Sequence, residues 1–258
     1  MNRRNLPIAF FDSGVGGLSV LREAVRMMPR EDYLYFGDSV NAPYGTRPVE
    51  EIRTLTLRNI GRMYAQGIKA VTVACNTATS AAIRQLREKY QDIPVIGIEP
   101  ALKPAAEIGD HPRVIVMATP LTVRAQKFSD LLAGYEDRAD VTALACPGLM
   151  EFVEDGSLDS LEVVCYLRQL LDPYLEREKV DAIVLGCTHY PFLKDTIRTI
   201  AGPDVCILDG GEGTARELKR RLEDEDLLTD RNTAGTVIYD ESIPDKIALC
   251  RKLMALPF

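Results

Sequence analysis

The chain has no apolar run long enough to cross a bilayer, no Cys-x-x-Cys pair, no long block of lysine and arginine, and only two histidines. Each shortage removes a class of function. A membrane-spanning helix needs about 20 consecutive apolar residues, so a membrane partner is not expected. The start MNRRNLPIAFF is basic, but its apolar run is too short for a signal-peptide core and no small-residue cleavage site follows. The expected location is the cytoplasm. Basic residues occur only in short groups such as KRR (219–221), followed at once by LEDED, and the formal net charge is −7. A nucleic-acid surface needs a clustered basic footprint, so no nucleic-acid partner is expected. A net negative charge leaves room for an anionic small molecule, because helix N-termini can make a pocket locally positive.

Six cysteines stand at 75, 146, 165, 187, 206 and 250. Their spacing fits neither a disulfide framework nor a structural zinc site. In a reducing compartment they are free thiols, and each alone could be a small buried hydrophobe.

What is present is an alternation of short apolar runs and longer helical patterns. With 258 residues, 46% of them hydrophobic, the chain can form one large domain or two ordinary ones. The runs IAFF (8–11), YLYFG (33–37), AVTVAC (70–75), VIGI (95–98), VIVMAT (114–119), VTALAC (141–146), AIVLGC (182–187), VCILD (205–209) and TVIYD (236–240) read as strands. Several are continuously apolar, as expected of strands buried on both faces of a parallel sheet. PVEEIRTLTLRNIGRMYAQG (48–67) opens on proline and acids and closes on glycine, a helix pattern. The alternation predicts an α/β fold. The chain also echoes itself weakly. An early strand ending in a hydroxyl-bearing loop and a later one ending in Cys-x-Thr or Cys-Thr occur twice, which predicts two α/β domains whose strand C-termini share a cleft.

Four stretches carry the candidate chemistry. FFDSGVGGLSVL (10–21) takes a strand through Asp12 into a glycine-rich turn and a helix starting near Leu18. It is no P-loop, since Gly-Lys-Ser/Thr is missing, and it lacks the G-x-G-x-x-G spacing of dinucleotide sites. Asp12 serves either as a turn cap or as a functional carboxylate. FGDSVNAPYGTRP (36–48) is a loop of turn formers after a strand, with Asp38 at its start. Taken alone, it reads as ordinary loop chemistry. VACNTATS (73–80) and LGCTHYPF (185–192) each end a strand in a cysteine followed by hydroxyl or amide side chains at an expected helix start, a setting that favours thiolate. His189 lies two residues from Cys187 and could stabilise that thiolate or exchange its proton.

Three chemistries fit such thiols. A Cys–His hydrolase uses Cys187 and His189 but leaves Cys75 idle. A mononuclear metal site could recruit Cys75, Cys187 and His189, yet no closely spaced ligand pair is present. A two-base proton transfer uses both thiols, one removing a proton from carbon and the other returning one. Only the third explains the duplication.

The ordered blocks FDSGVGGLSVL, FGDSVNAPYG, VACNTATS, IGIEPALKPA, MATPLTV, LGCTHYPFL and DGGEGTA cover most of the chain. Together they resemble the glutamate racemases of the aspartate/glutamate racemase superfamily. The resemblance implies two pseudosymmetric, doubly wound α/β domains with mostly parallel sheets facing a shared cleft, residues 1–97 plus 210–258 forming one and 98–209 the other. It implies cofactor-independent interconversion of L- and D-glutamate, supplying D-glutamate for peptidoglycan, cell-wall biogenesis and cell shape. By motif position, Cys75 acts on the D-enantiomer and Cys187 on the L-enantiomer, assisted by Asp12 and His189. Asp38 is a further motif carboxylate. Substrate contacts are implied for Asp12, Ser13, Pro43, Tyr44, Gly45, Asn76, Thr77, Thr119, Thr122, Thr188 and His189. In CPGLMEFVEDG (146–156) the family's catalytic glutamate falls on Glu154 by register, with Glu151 the alternative.

Chemistry agrees with the resemblance. The α-proton of an amino acid is very weakly acidic, and no Schiff-base lysine motif for pyridoxal phosphate is evident, so positioned donors in a dry cleft have to stabilise the carbanion-like transition state. No metal or cofactor is expected. A homodimer is compatible with the sequence, which does not locate its surface. Two other readings compete: an aspartate racemase or related two-cysteine isomerase, and a non-catalytic amino-acid-binding protein on the same fold.

Overall fold

The computed structural model describes residues 3–257. Among them, nine strands form two sheets in which every pairing is parallel. The chain divides into two compact units, Met1–Glu99 with Gly211–Phe258, and Pro100–Gly210.

In the first unit, β1 (Ile8–Asp12), β2 (Tyr33–Gly37), β3 (Ala70–Val73), β4 (Val95–Gly97) and β9 (Val237–Glu241) stand in the order β4-β3-β1-β2-β9. In the second, β5 (Arg113–Ala118), β6 (Asp140–Ala145), β7 (Ala182–Leu185) and β8 (Cys206–Asp209) stand in the order β6-β5-β7-β8. Every residue of β1, β2, β3 and β7 is buried, which is why these strands read as largely apolar runs, with Thr72 in β3 and Asp12 at the end of β1 the polar exceptions. In the second unit, Val114 and Val116 of β5, Ala182 and Val184 of β7 and Phe128 share one core.

The helices of the first unit are α1 (Leu18–Met27), α2 (Val49–Ala65), α3 (Asn76–Lys89), α10 (Gly211–Asp224) and α11 (Ile247–Met254). Those of the second are α4 (Leu102–Ala106), α5 (Pro120–Arg124), α6 (Gln126–Ala133), α7 (Leu149–Glu154), α8 (Leu161–Leu175) and α9 (Lys194–Ala201). Helix α2 begins after Pro48 with Glu50 and Glu51 in its first turn, and the chain turns away at Gly67, whose φ is +85°. Leu218 and Leu222 give α10 its buried face, while Arg220 and Arg221 of the KRR group pair with Glu217, Asp224 and Glu225 on its exposed side. No helix among the described residues is long and apolar enough to cross a membrane.

Two local expectations are corrected. The strand ladders stop at Val73 and Leu185, so Cys75 and Cys187 lie beyond the strands and not at their last residues. The helix expected directly after Cys187 is absent. Pro191, which has no N–H, sits in a 3-10 turn (Tyr190–Leu193), and α9 begins only at Lys194.

The first unit is tied together by a buried cation. Lys69 is fully buried, and its ammonium group donates to Glu31, to the Arg4 carbonyl (2.7 Å) and to the Leu227 carbonyl (2.9 Å), while the other Glu31 oxygen accepts the Thr229 N–H at 2.7 Å. Burial pulls the Lys69 pKa below its ordinary value, against the opposing pull of Glu31. All three ammonium hydrogens have acceptors, the condition for a buried charge to persist. Lys69→Met removes the cation and strands Glu31. It is expected to lower unfolding stability by about 3–5 kcal/mol, read as a fall in the urea midpoint.

Candidate active site

Parallel ladders deliver the candidate residues in two groups, Cys75 in the first unit and Cys187 in the second.

In the first unit, Asp12 ends β1, Gly37 opposite it ends β2, and the Asp38 N–H donates to the Asp12 carbonyl at 3.0 Å. Ala74, one residue before the thiol, donates to the Phe11 carbonyl at 2.8 Å. Cys75 is the N-cap of α3, and its Sγ accepts the Ala78 N–H at 3.4 Å, a capping bond that favours negative charge on sulfur. Ser13 Oγ lies 3.5 Å from the same Sγ. Asp12 is fully buried; its Oδ1 accepts the Gly14 N–H at 2.9 Å and lies 3.4 Å from Ser13 Oγ. The helix start approaches so closely that a Cβ on Gly17 would stand 2.7 Å from the Asp12 Cβ.

Asp38 does not bond the thiol. It accepts Tyr44 O–H at 2.6 Å, Asn59 Nδ2 at 2.9 Å and Asn41 Nδ2 at 2.9 and 3.1 Å, so it anchors the loop carrying Pro43, Tyr44 and Gly45. The Ala42–Pro43 peptide in that loop is cis. Burial, the Asp38 hydrogen bond and charge, and the charges of Cys75 and Asp12 together raise the Tyr44 pKa, so its hydroxyl stays protonated. Asn76 and Thr77 open α3 in buried positions, and both polar atoms of the Asn76 amide are buried without a partner.

In the second unit, Thr119, Cys146 and Cys187 follow β5, β6 and β7. Thr119 caps α5 by accepting the Thr122 N–H at 3.3 Å, and the two threonine hydroxyls are 2.9 Å apart. Cys187 Sγ lies 3.7 Å from His189 Nδ1, and His189 Nε2 lies 2.7 Å from Glu154 Oε1. All three side chains are buried, as is Thr188 between the thiol and the histidine. Glu154, at the end of α7, is the glutamate that meets His189; Glu151, one turn earlier, is exposed. Burial alone pulls the His189 pKa down. The hydrogen bonds and charges of Cys187 and Glu154 outweigh it and hold it well above the ordinary histidine value. Burial, with the neighbouring Cys187 charge adding to it, pushes Cys146 up to about 12, so this third thiol stays neutral.

Asn59, a polar residue within α2, carries no sequence motif that marks its bond to Asp38. The link from Tyr190 O–H to the Cys146 carbonyl (3.3 Å) has no sequence signature either. Among the described residues, no group of three or more His, Cys, Asp or Glu side chains could hold a metal ion.

A family model described as Asp/Glu/Hydantoin racemase matches residues 13–218. A glutamate racemase of Clostridium perfringens is 51% identical over 255 residues, covering 98% of each chain. The chain belongs to this family, among its glutamate racemases. It is therefore of the amino-acid racemase class, an isomerase. Among solved structures, glutamate racemase from Thermus thermophilus in complex with Beta-chloro-D-alanine is 36% identical with a TM-score of 0.80, covering 98% of this chain and 94% of that one. The Escherichia coli glutamate racemase in complex with L-glutamate and the activator UDP-MurNAc-Ala is 30% identical with a TM-score of 0.85, covering 96% and 94%. The parallel α/β architecture is shared with these racemases.

Because His189 holds its proton more tightly when folded, its stabilising contribution is fully present below the unfolded value of about 6.5 and is lost as pH rises through the raised folded pKa. In Glu154→Gln, the ring titration of His189 by NMR should move down toward the ordinary value. The stability deficit of the variant should be largest between about pH 5 and 6.5 and shrink at higher pH, read by urea unfolding at each pH.

Proposed function

We propose that the chain interconverts L- and D-glutamate by Cα proton transfer between two thiols, Cys75 and Cys187, without an organic cofactor. The observation that carries this reading is the buried chain Cys187–His189–Glu154, together with a second buried thiol, Cys75, capped by a helix N–H and accompanied by Ser13 and Asp12. A lone nucleophile needs only one of these arrangements.

In the proposed forward step, the Cys187 thiolate takes the α-proton of L-glutamate, and the C–H electron pair passes to Cα and its carboxylate. The Cys75 thiol then gives its proton to the opposite face, leaving D-glutamate and a Cys75 thiolate. The reverse step starts from Cys75. This demands that the thiols reach opposite faces of the same Cα. Protonated His189, held by Glu154, stabilises the Cys187 thiolate by charge and hydrogen bonding. On the Cys75 side the Ala78 N–H supports the anion, and Asp12 assists proton movement with Ser13 between them. Asp38 acts through Tyr44.

Neutral hydroxyls and amides at Ser13, Tyr44, Asn76, Thr77, Thr119, Thr122 and Thr188, with backbone groups of Pro43 and Gly45, are proposed to donate to the substrate's carboxylates and to accept from its ammonium. Leaving a buried amide unpaired costs about 1–3 kcal/mol. The Asn76 amide, buried with neither polar atom paired to a protein group, is proposed to be satisfied by the bound amino acid. The two compact units are proposed as the two domains that each contribute one thiol. The cellular role proposed is supply of D-glutamate for peptidoglycan in the cytoplasm.

Solvent deuterium should enter Cα of both glutamate enantiomers without added cofactor, and aspartate should turn over far more slowly. Cys75→Ser and Cys187→Ser should each lower net racemisation by roughly a hundred- to ten-thousand-fold, measured by polarimetry. Wild-type rates in either single variant overturn the two-thiol mechanism. Tight glutamate binding with no deuterium incorporation means a binding protein instead.

A further inference from the structure

The turn Cys146–Pro147–Gly148 joins β6 to α7, the helix that carries Glu154. Helix α7 has six residues, too few to hold a direction by its own hydrogen bonds. It starts from Gly148, whose φ of +83° lies in the left-handed region open to glycine. The aim of Glu154 at His189 therefore depends on what holds this turn.

Two phenols hold it. Tyr190, fully buried and next in sequence to His189, donates its O–H to the Cys146 carbonyl at 3.3 Å. Tyr166 of α8 donates to the next carbonyl, that of Pro147, and its ring packs on Phe152 of α7 with centroids 5.8 Å apart. The β6 ladder has ended at Ala145, so these carbonyls lie beyond it. The result is a closed circuit. His189 continues into Tyr190, which bonds Cys146; the turn leads through α7 to Glu154, and Glu154 returns to His189 at 2.7 Å.

We propose that Tyr190 and Tyr166 are positioning residues for the racemisation chemistry: their hydroxyls, fixed on the consecutive Cys146 and Pro147 carbonyls, aim α7 so that Glu154 meets His189. The catalytic consequence rests on the assignment of Cys187 and His189 above; the positional claim stands on the hydrogen bonds alone. A phenylalanine at either site keeps the ring and loses only the hydroxyl, so packing and positioning can be separated. The titratable groups around this circuit are Cys187 and Glu154 on His189, and Cys187, Cys146, Tyr166 and Glu151 around Tyr190.

The chain has only two histidines, and the exposed His111 serves as an internal control for ring NMR. In full-length Tyr190→Phe, the His189 titration should move down toward the ordinary value while His111 stays at its wild-type position. The kcat should fall at least about threefold with KM near wild type. Tyr166→Phe, at a partly exposed position, should show the same pattern more weakly and carries the test if Tyr190→Phe does not fold. On a Glu154→Gln background, either tyrosine change should have no further effect on His189, because the residue it aims has lost its charge. An unmoved His189 titration in the double tyrosine variant (or in Tyr166→Phe where Tyr190→Phe does not fold), equal shifts at His111 and His189, or full additivity with Glu154→Gln would each overturn the proposal. Failure of the two-thiol reading shows elsewhere, as racemisation by Cys187→Ser, which leaves the NMR result standing.

Discussion

Parallel pairing places the C-terminal ends of all strands in a sheet along one edge, and the chemistry of this chain hangs on that constraint. Asp12, Asp38 and Cys75 leave β1, β2 and β3 at a common edge; Thr119, Cys146 and Cys187 leave β5, β6 and β7 at another. The ladders also supply the fixed backbone from which these side chains are aimed, as in the bond from Ala74 to Phe11 one residue before the thiol. Residues far apart in sequence thus become neighbours within each unit without any long loop having to fold on its own.

The two thiols are served by unlike means. Cys75 sits on a helix N-terminus, where the Ala78 N–H meets its sulfur directly. Cys187 has no helix behind it, since Pro191 and a 3-10 turn intervene, and it has instead a histidine backed by a carboxylate. One device is a fixed dipole; the other is a titratable group whose charge depends on its partner. Cys146 has neither device, and burial together with the neighbouring Cys187 charge keeps its thiol neutral.

The strands were legible because strands buried on both faces are mostly apolar, and the runs at 8–11, 33–37 and 182–185 fit that pattern in an alternating chain. Helix α2 was legible from Pro48 and its acidic first turn. Other features were not. Glu151 and Glu154 lie one turn apart on the same short helix, so motif register could rank them but only the fold separates the exposed one from the one on His189. Asn59 looks like any polar residue of an amphipathic helix until Asp38 is found against it. The helix expected after Cys187 followed from the hydroxyl-bearing side chain behind the cysteine, and Pro191 in the same stretch carried the contrary signal.

The Lys69 cluster has a consequence for the order of assembly. Its acceptors come from the N-terminal arm, from the segment before β2, and from Leu227, more than a hundred residues after the cation itself. Strand β9, which completes the edge beside β2, comes later still. As the chain leaves the ribosome, the unit Pro100–Gly210 is whole and free to close while the unit begun first still lacks an edge strand and an acceptor for its buried ammonium. The unit that starts first therefore finishes last, and until residues 227–241 arrive its β2 edge is unpaired and Lys69 lacks its Leu227 acceptor.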